Sequence, residues 1–393
     1  MNGLRIILAG PDPLGLPAPV WLLKFLLIFT FVLHLLFMNA ALGGSLVWVW
    51  ANWRVGRSRR SDVAAIPVGL PAFRPGAVPQ ELDAPDYDVL ARALGRMLPV
   101  ATAFTITTGV APLLFVQLLY GQLFYTSSVL MAWLWFAIVP LLLAGYCANY
   151  AVASARPATV RALSLGVLSA VLLAAIGLIF TNNMTLMLGP EQHAPLYLAS
   201  DAGLHTNLGD TWVWPRFAHM LVASLAVTGL LVAWVGRLQR ARDRHVAARI
   251  ERRGTRLFMA ATLIECAVGA VFFVALPTQV REVFATGVTP DPILVVAGVV
   301  FALAGVVIVR RSLVVGSCAA IVALADMAVV RHRVRQLMLE PYFQPESLPV
   351  AARTTAFVLF ALLLFAGLGI VGWMVWKFVI AGHAEPAKDA VPV

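Results

Sequence analysis

Residues 210–231 read DTWVWPRFAHMLVASLAVTGLL. From residue 213 to 236 the run is apolar or small but for a few polar positions, long enough for the roughly 20 residues that span a bilayer core. Trp212 and Trp214 stand at its start, where amphipathic indoles anchor a helix at the membrane interface. Arg216 follows, and His219 then lies about a turn and a half inside the helix. An ionisable side chain at that depth is costly to place in lipid and marks a functional position.

The rest of the chain agrees with a membrane reading. Of its 393 residues, 61% are hydrophobic and 12% charged, with a mean hydropathy of +0.86. Such a composition belongs to an integral membrane protein and excludes a soluble globular domain of this length. The net charge of +10 reports arginines in loops and gives no nucleic-acid footprint. Cys147, Cys266 and Cys318 all fall in apolar runs with no CxxC or CxxCH spacing, so they are read as small buried hydrophobes rather than ligands for a metal or a covalent haem.

Applying the bilayer ruler predicts an all-α bundle of about nine transmembrane helices in a single membrane domain. The expected helices cover roughly 20–50, 97–120, 128–152, 160–188, 213–236, 256–278, 291–309, 312–331 and 352–381. Residues 1–19 form an N-terminal segment, 20–280 hold six helices, 291–381 hold three more, and 382–393 form a tail. The first apolar run is longer than a signal-peptide core and is read as a retained helix. Segments 54–88 and 189–211 are read as links, and no internal repeat is visible.

Loop charge sets the expected orientation. Arg54, Arg57, Arg59 and Arg60, then Arg156 and Arg161, then the basic stretch GRLQRARDRHVAARIERRGTR follow the first, third and fifth helices and belong to the cytoplasm. The alternate loops GQLFYTSS and GPEQHAPLYLASDAGLHTNLGD lack Lys and Arg, which places them and the N-terminus outside and the C-terminus inside. The link between helices eight and nine disobeys, being external by count yet bearing Arg331, His332, Arg333, Arg335 and Arg353. Either a helix is miscounted or an anionic partner such as a cofactor carboxylate retains these arginines, whose guanidinium forks match carboxylates well.

Few polar groups enter the predicted spans. His34 is followed by Asn39 and by Gly43, Gly44 and Ser45, small residues that admit a close backbone or a flat ligand. His219, Glu265 and Asp326 are the other ionisable ones, with Gln117, Thr102, Thr105, Thr107, Thr108, Asn182 and Asn183 adding uncharged polarity. Two deep histidines are too few for a protein-only metal cage but suffice for one haem iron each. The competing reading is a hydrogen bond from each imidazole to a neighbouring helix. His193, His205, His245, His332 and His383 fall in loops or at helix ends, and most of them are expected to be solvated.

The segments HLLFMNAALGGSL, LGRMLPVATAFTITTGVAPLLFVQLLYG, SAVLLAAIGLIFTNNMTLMLGP and WPRFAHMLVASLAVTGLLVAW, in this order, resemble helices one, two, four and five of cytochrome bd quinol oxidase subunit I. The resemblance runs from about residue 20 to 280 and is weak beyond. It implies a nine-helix bundle with an external N-terminus, in which His34 and His219 occupy positions of haem-ligating histidines and His219 that of the low-spin haem b ligand.

The departures from the family are as informative. Where its second helix carries a glutamate beside the oxygen-reducing haem, TGVAPLLFVQLL offers only Gln117. The long external loop used for quinol oxidation is reduced to TQVREVFATGVTPDP, and the seventh helix, ILVVAGVVFALAGVVIV, has no methionine for the low-spin haem. An arginine signature is reduced to RVRQLML, in which Arg335 and Gln336 align, and Asp326 stands near but out of register with a ligand glutamate. The resemblance therefore implies a relative that keeps haem positions and has lost the oxygen chemistry.

The expected function is haem b binding, one or two haems, with His34 and His219 as iron ligands and Arg216, Arg335, Arg353, Asn39 and Gln117 as further cofactor contacts. Electrons would pass between the quinone pool and an external acceptor such as a partner c-type cytochrome, making the chain an oxidoreductase subunit in a bacterial inner membrane. Three alternatives stay open: an active quinol:oxygen oxidoreductase subunit, a haemless transporter using Glu265 and Asp326, and a scaffold subunit that docks a partner.

Overall fold

The structure, a computed structural model, describes residues 15–64, 84–240, 243–286 and 290–383. Its helices are α1 (Val20–Ala64), α2 (Ala84–Leu130), α3 (Ala132–Ser154), α4 (Val160–Leu186), α5 (His193–Ala199), α6 (Val213–Leu238), α7 (Arg244–Ala275), α8 (Thr278–Thr286), α9 (Asp291–Ile308), α10 (Leu313–Leu339) and α11 (Thr354–His383). Among the described residues nine of these are long and apolar enough to cross a membrane, all but α5 and α8. The chain is a multi-pass, all-α membrane protein.

The predicted spans are all present, but several helices run well past the apolar windows. The span in α1 covers Val20–Ser58, 39 residues, or about 58 Å at helical rise, against a hydrocarbon core of about 30 Å. α2 takes in the expected external loop GQLFYTSS as helix and bends at Tyr120, whose backbone leaves helical geometry. α10 continues to Leu339, so Arg331, His332, Arg333 and Arg335 lie on a helix rather than in a link. Nothing in RHRVRQLML breaks a helix, and Pro341 comes just beyond the end. Most of the expected N-terminal segment, the tail and positions 65–83 of the first link lie outside the described residues.

Local chemistry sets several helix starts. Thr159 accepts the amide of Ala162 ahead of α4, Ser312 that of Val315 ahead of α10, and Asp243 those of His245 and Val246 ahead of α7. Each satisfies donors that a first turn leaves open. Those backbone hydrogen bonds depress the Asp243 carboxyl below its usual range.

Small residues bring the helices together. Gly229 and Gly236 of α6 face the backbone of α7, whose Gly254 faces Ala233, and Gly43 of α1 abuts Ser224 of α6. Buried polar groups serve as interhelical hydrogen bonds. Asn149 of α3 donates to Thr102 of α2 at 2.9 Å and accepts from Ser169 of α4 at 2.6 Å. Asn183 of α4 accepts from Ser127 and donates to Ser128 of α2 at 3.3 and 3.2 Å. Asn182 accepts the amide of Asn207 at 3.0 Å, pinning the link before α6.

One end of the bundle is an apolar cluster built from Leu23 and Leu27 of α1, Phe115, Leu119, Leu123 and Phe124 of α2, Met184 and Met187, Trp212, Val280 and Phe284 of α8, and Val334 and Leu339 of α10. Residues 15–17 close over it, where Leu16 pairs with the segment after α10 through Leu16 N–H to Pro349 O and Ala351 N–H to Leu16 O, both 2.8 Å. The other end holds Trp48, Leu90, Leu94 and Ile250, with Trp48 donating to the Ala91 carbonyl at 2.9 Å. There Asp86, buried at the start of α2, receives a two-pronged ion pair from Arg249 of α7 at 2.7 and 2.8 Å.

Candidate functional site: two seated histidines and a buried arginine group

His34 projects from α1 toward α2. Its Nδ1 lies 3.1 Å from the Thr105 carbonyl oxygen and donates to it, while no hydrogen bond reaches Nε2 among the described residues. The Thr105 carbonyl sits inside a helix and remains reachable because the next turn presents Gly109. A helical side chain covers the surface over its preceding turn, and Gly109 has none. A Cβ there would come within 2.9 Å of the His34 ring.

His219 repeats this arrangement on another helix pair. Its Nδ1 lies 2.9 Å from Oε1 of Glu265 on α7, off the line of an ideal hydrogen bond. Gly269, one turn beyond Glu265, is the residue over which the ring lies, a Cβ at that position meeting Cε1 at 3.4 Å. Phe272 lies parallel to the imidazole with centroids 6.1 Å apart. Glu265, Gly269 and Phe272 fall at i, i+4 and i+7, one face of α7. At both places an oxygen acceptor followed four residues later by glycine faces an imidazole Nδ1. At His34 the hydrogen bond fixes the tautomer that leaves Nε2 with its lone pair, the form in which histidine ligates a metal.

A group of cations neighbours His34. Arg216 of α6 and Arg331 and Arg335 of α10 are close enough to act electrostatically on one another. Arg331 also acts on His34 and stacks its guanidinium 4.4 Å from the Phe31 ring centre. Arg335, 7% exposed, lies 5.4 Å from the Tyr120 ring centre, and Arg216 donates to Thr185 at 3.1 Å. None of the three forms an ion pair among the described residues. The nearby acids are engaged elsewhere, Asp291 with Arg333 at 2.8 Å and Glu346 with Lys24. Arg331 Nε, the Tyr120 hydroxyl and both ring nitrogens of His332 are buried without a hydrogen-bond partner among the described residues.

Three guanidiniums and four orphaned polar atoms in an apolar bundle are strongly unfavourable on their own. Their chemistry fits a ligand bearing carboxylates, and haem, with two propionates and an iron for imidazole, meets both halves of the donor set. No group of three or more His, Cys, Asp or Glu converges among the described residues.

The other expected contacts are placed differently. Asn39 is fully buried on the α1–α6 contact, where its carbonyl accepts from Thr228 at 3.3 Å and its side-chain oxygen has no partner. Gln117 accepts from Tyr125 of its own helix at 3.3 Å. Arg353 is not part of the arginine group: its side chain is exposed and its backbone amide donates to Pro17. His332 and His193, from the group expected to be mostly solvated, are each only 8% exposed. Sequence reading did not pair Thr105 or Glu265 with the histidines. For Glu265 the available signal was an acid followed at i+4 by glycine inside an apolar run; the Thr105 acceptor is a backbone carbonyl, and only Gly109 marked its place.

No family model matches the chain, and no curated protein matches it. Among solved structures it is similar to the bd oxidase from Geobacillus thermodenitrificans, with 13% sequence identity, a TM-score of 0.65, and coverage of 93% of this chain and 99% of that chain. At so low an identity the likeness concerns the path of the chain: the bundle has the bd oxidase fold.

Proposed function

We propose that the protein is a haem b-binding membrane electron-transfer subunit whose iron ligands are His34 and His219. The observation that carries this reading is that both membrane-embedded imidazoles turn Nδ1 toward an oxygen acceptor and lie over a glycine, with no hydrogen bond at Nε2 among the described residues. Bound haem supplies a one-electron couple. Arg216, Arg331 and Arg335 would pair with its propionates, and the Tyr120 hydroxyl and His332 would hydrogen-bond the same carboxylates. Electrons would pass between the quinone pool and an acceptor such as a partner c-type cytochrome. The membrane is taken to be a bacterial inner membrane, with the N-terminus external and the C-terminus cytoplasmic. The basic end of α10 then lies on the outer side, held there by the propionates.

The test is a reduced-minus-oxidised optical spectrum of the purified wild type beside His34→Ala and His219→Ala. Each variant is expected to lose part of the haem signal. A colourless wild type, or two variants with the full signal, overturns the reading.

A further inference from the structure

The two seats differ in one respect that the fold does not require. His34 Nδ1 faces a neutral amide carbonyl, Thr105 O. His219 Nδ1 faces a carboxyl group, Glu265 Oε1. Glu265 lies in the middle of a membrane-spanning helix, and its second oxygen, Oε2, is buried with no hydrogen-bond partner. An acid so placed needs a reason, and the histidine is the partner the structure gives it. Glycine and phenylalanine at the following i+4 and i+7 positions complete a face of α7 shaped around that one ring.

We infer that Glu265 is a redox-positioning residue, which makes the haem site at His219 the lower-potential member of the pair. This rests on the haem reading above. A carboxylate attracts the Nδ1 proton more strongly than a carbonyl does and makes the opposite ring nitrogen a stronger donor to iron. The ferric state carries one more positive charge than the ferrous, so both the stronger donor and the nearby negative charge favour ferric iron at this position. At His34 the same position is taken by a neutral amide carbonyl, so that site lacks this bias toward ferric iron. Both rings lie over a glycine, closely at Gly109 and in ordinary contact at Gly269, and the charge of the acceptor is the chemical difference between them.

The test is a potentiometric titration of the purified haem-loaded protein, following the His34-dependent and His219-dependent absorbance components separately, in wild type and Glu265→Gln. The amide keeps the shape and an oxygen acceptor but removes the charge. At least a tenfold shift of the reduction equilibrium toward ferrous is expected, about 59 mV for one electron, confined to the His219 component. A shift under twofold with the haem retained, or an equal shift in both components, overturns the inference. Should Glu265→Gln fail to accumulate, Glu265→Asp withdraws the carboxylate by one methylene. It is expected to move the same component in the same direction, and an unmoved component overturns the inference. The His219→Ala spectrum separates the two levels. Loss of a component there with no shift in Glu265→Gln sinks this inference alone; a full signal in His219→Ala removes that residue from the iron and sinks this inference too, and only the same result in His34→Ala as well sinks the haem reading itself.

Discussion

Gly109 lies directly beneath the His34 ring, one helical turn beyond the Thr105 carbonyl that receives the ring's Nδ1 proton. Substituting Gly109→Val puts a branched side chain where a single Cβ already comes within 2.9 Å of Cε1. The imidazole must then leave its seat, at an overpacking cost of about 1–3 kcal/mol. The His34-dependent part of the haem spectrum is expected to vanish while the His219-dependent part persists. An unchanged spectrum would mean that the ring's position on α2 does not matter for ligation.

Arg335→Met is expected to act in opposite directions with and without haem. In protein prepared from a haem-deficient host, replacing a buried guanidinium crowded by two others should leave the thermal midpoint unchanged or raise it, since apolar replacement of buried ionic groups is often stabilising by about 1–4 kcal/mol. In the loaded protein the same change removes a propionate partner, and haem should be released faster to a scavenger such as apomyoglobin. A lowered midpoint in the haem-free protein would contradict the idea that the group is built for an anion.

Asp86 and Arg249 join α2 and α7 about 50 Å along α2 from Tyr120, taking 1.5 Å per residue. Asp86 is 1% exposed and Arg249 keeps some access to solvent. Asp86→Ala should therefore cost about 3 kcal/mol, the low end for breaking a buried pair. Differential scanning calorimetry in detergent is expected to show the loss, with the haem spectrum of the surviving folded fraction unaltered. A spectral change would show that the two ends of the bundle are coupled.

His193, in the link ahead of α6, has its proton affinity pushed below the ordinary value of 6.5. Burial outweighs the upward pull of its hydrogen bond to the Leu186 carbonyl and of Glu191. The unfolded chain thus takes up this proton at higher pH than the folded one does. The contribution to stability is complete above about pH 6.5 and is lost as pH falls through the lower folded-state value. Thermal midpoints should drop between pH 7 and 5, and His193→Gln should flatten that slope. An identical slope in the variant would assign the pH dependence to other groups.

The nine spans were readable because twenty apolar residues in a row have few other uses, and the histidines because so little else in those runs is polar. The ends were not readable for the complementary reason. Residues 84–96 of α2 and 332–339 of α10 are helical but polar, and a hydropathy ruler cannot tell a protruding helix from a link. The basic stretch at 331–335 consequently looked like a loop with unexplained charge, whereas on a helix Arg331 and Arg335 fall one turn apart on a single face. His332 was misjudged for the same reason, being carried into the bundle by that helix. The seats of His34 and His219 depend on contacts between helices, Thr105 with α1 and Glu265 with α6. Spacing within one helix shows only half of such a pairing.

The arginine group has a consequence for how the protein is made. Before an anion arrives, a nascent bundle must bring Arg216, Arg331 and Arg335 together against their mutual repulsion, in surroundings poor in water. If that anion is the proposed haem, the last helices would dock loosely until it is delivered, and only afterwards close. Maturation on this account is a checkpoint: chains that never receive their cargo keep one end ajar, where membrane proteases and assembly factors can tell them from finished ones.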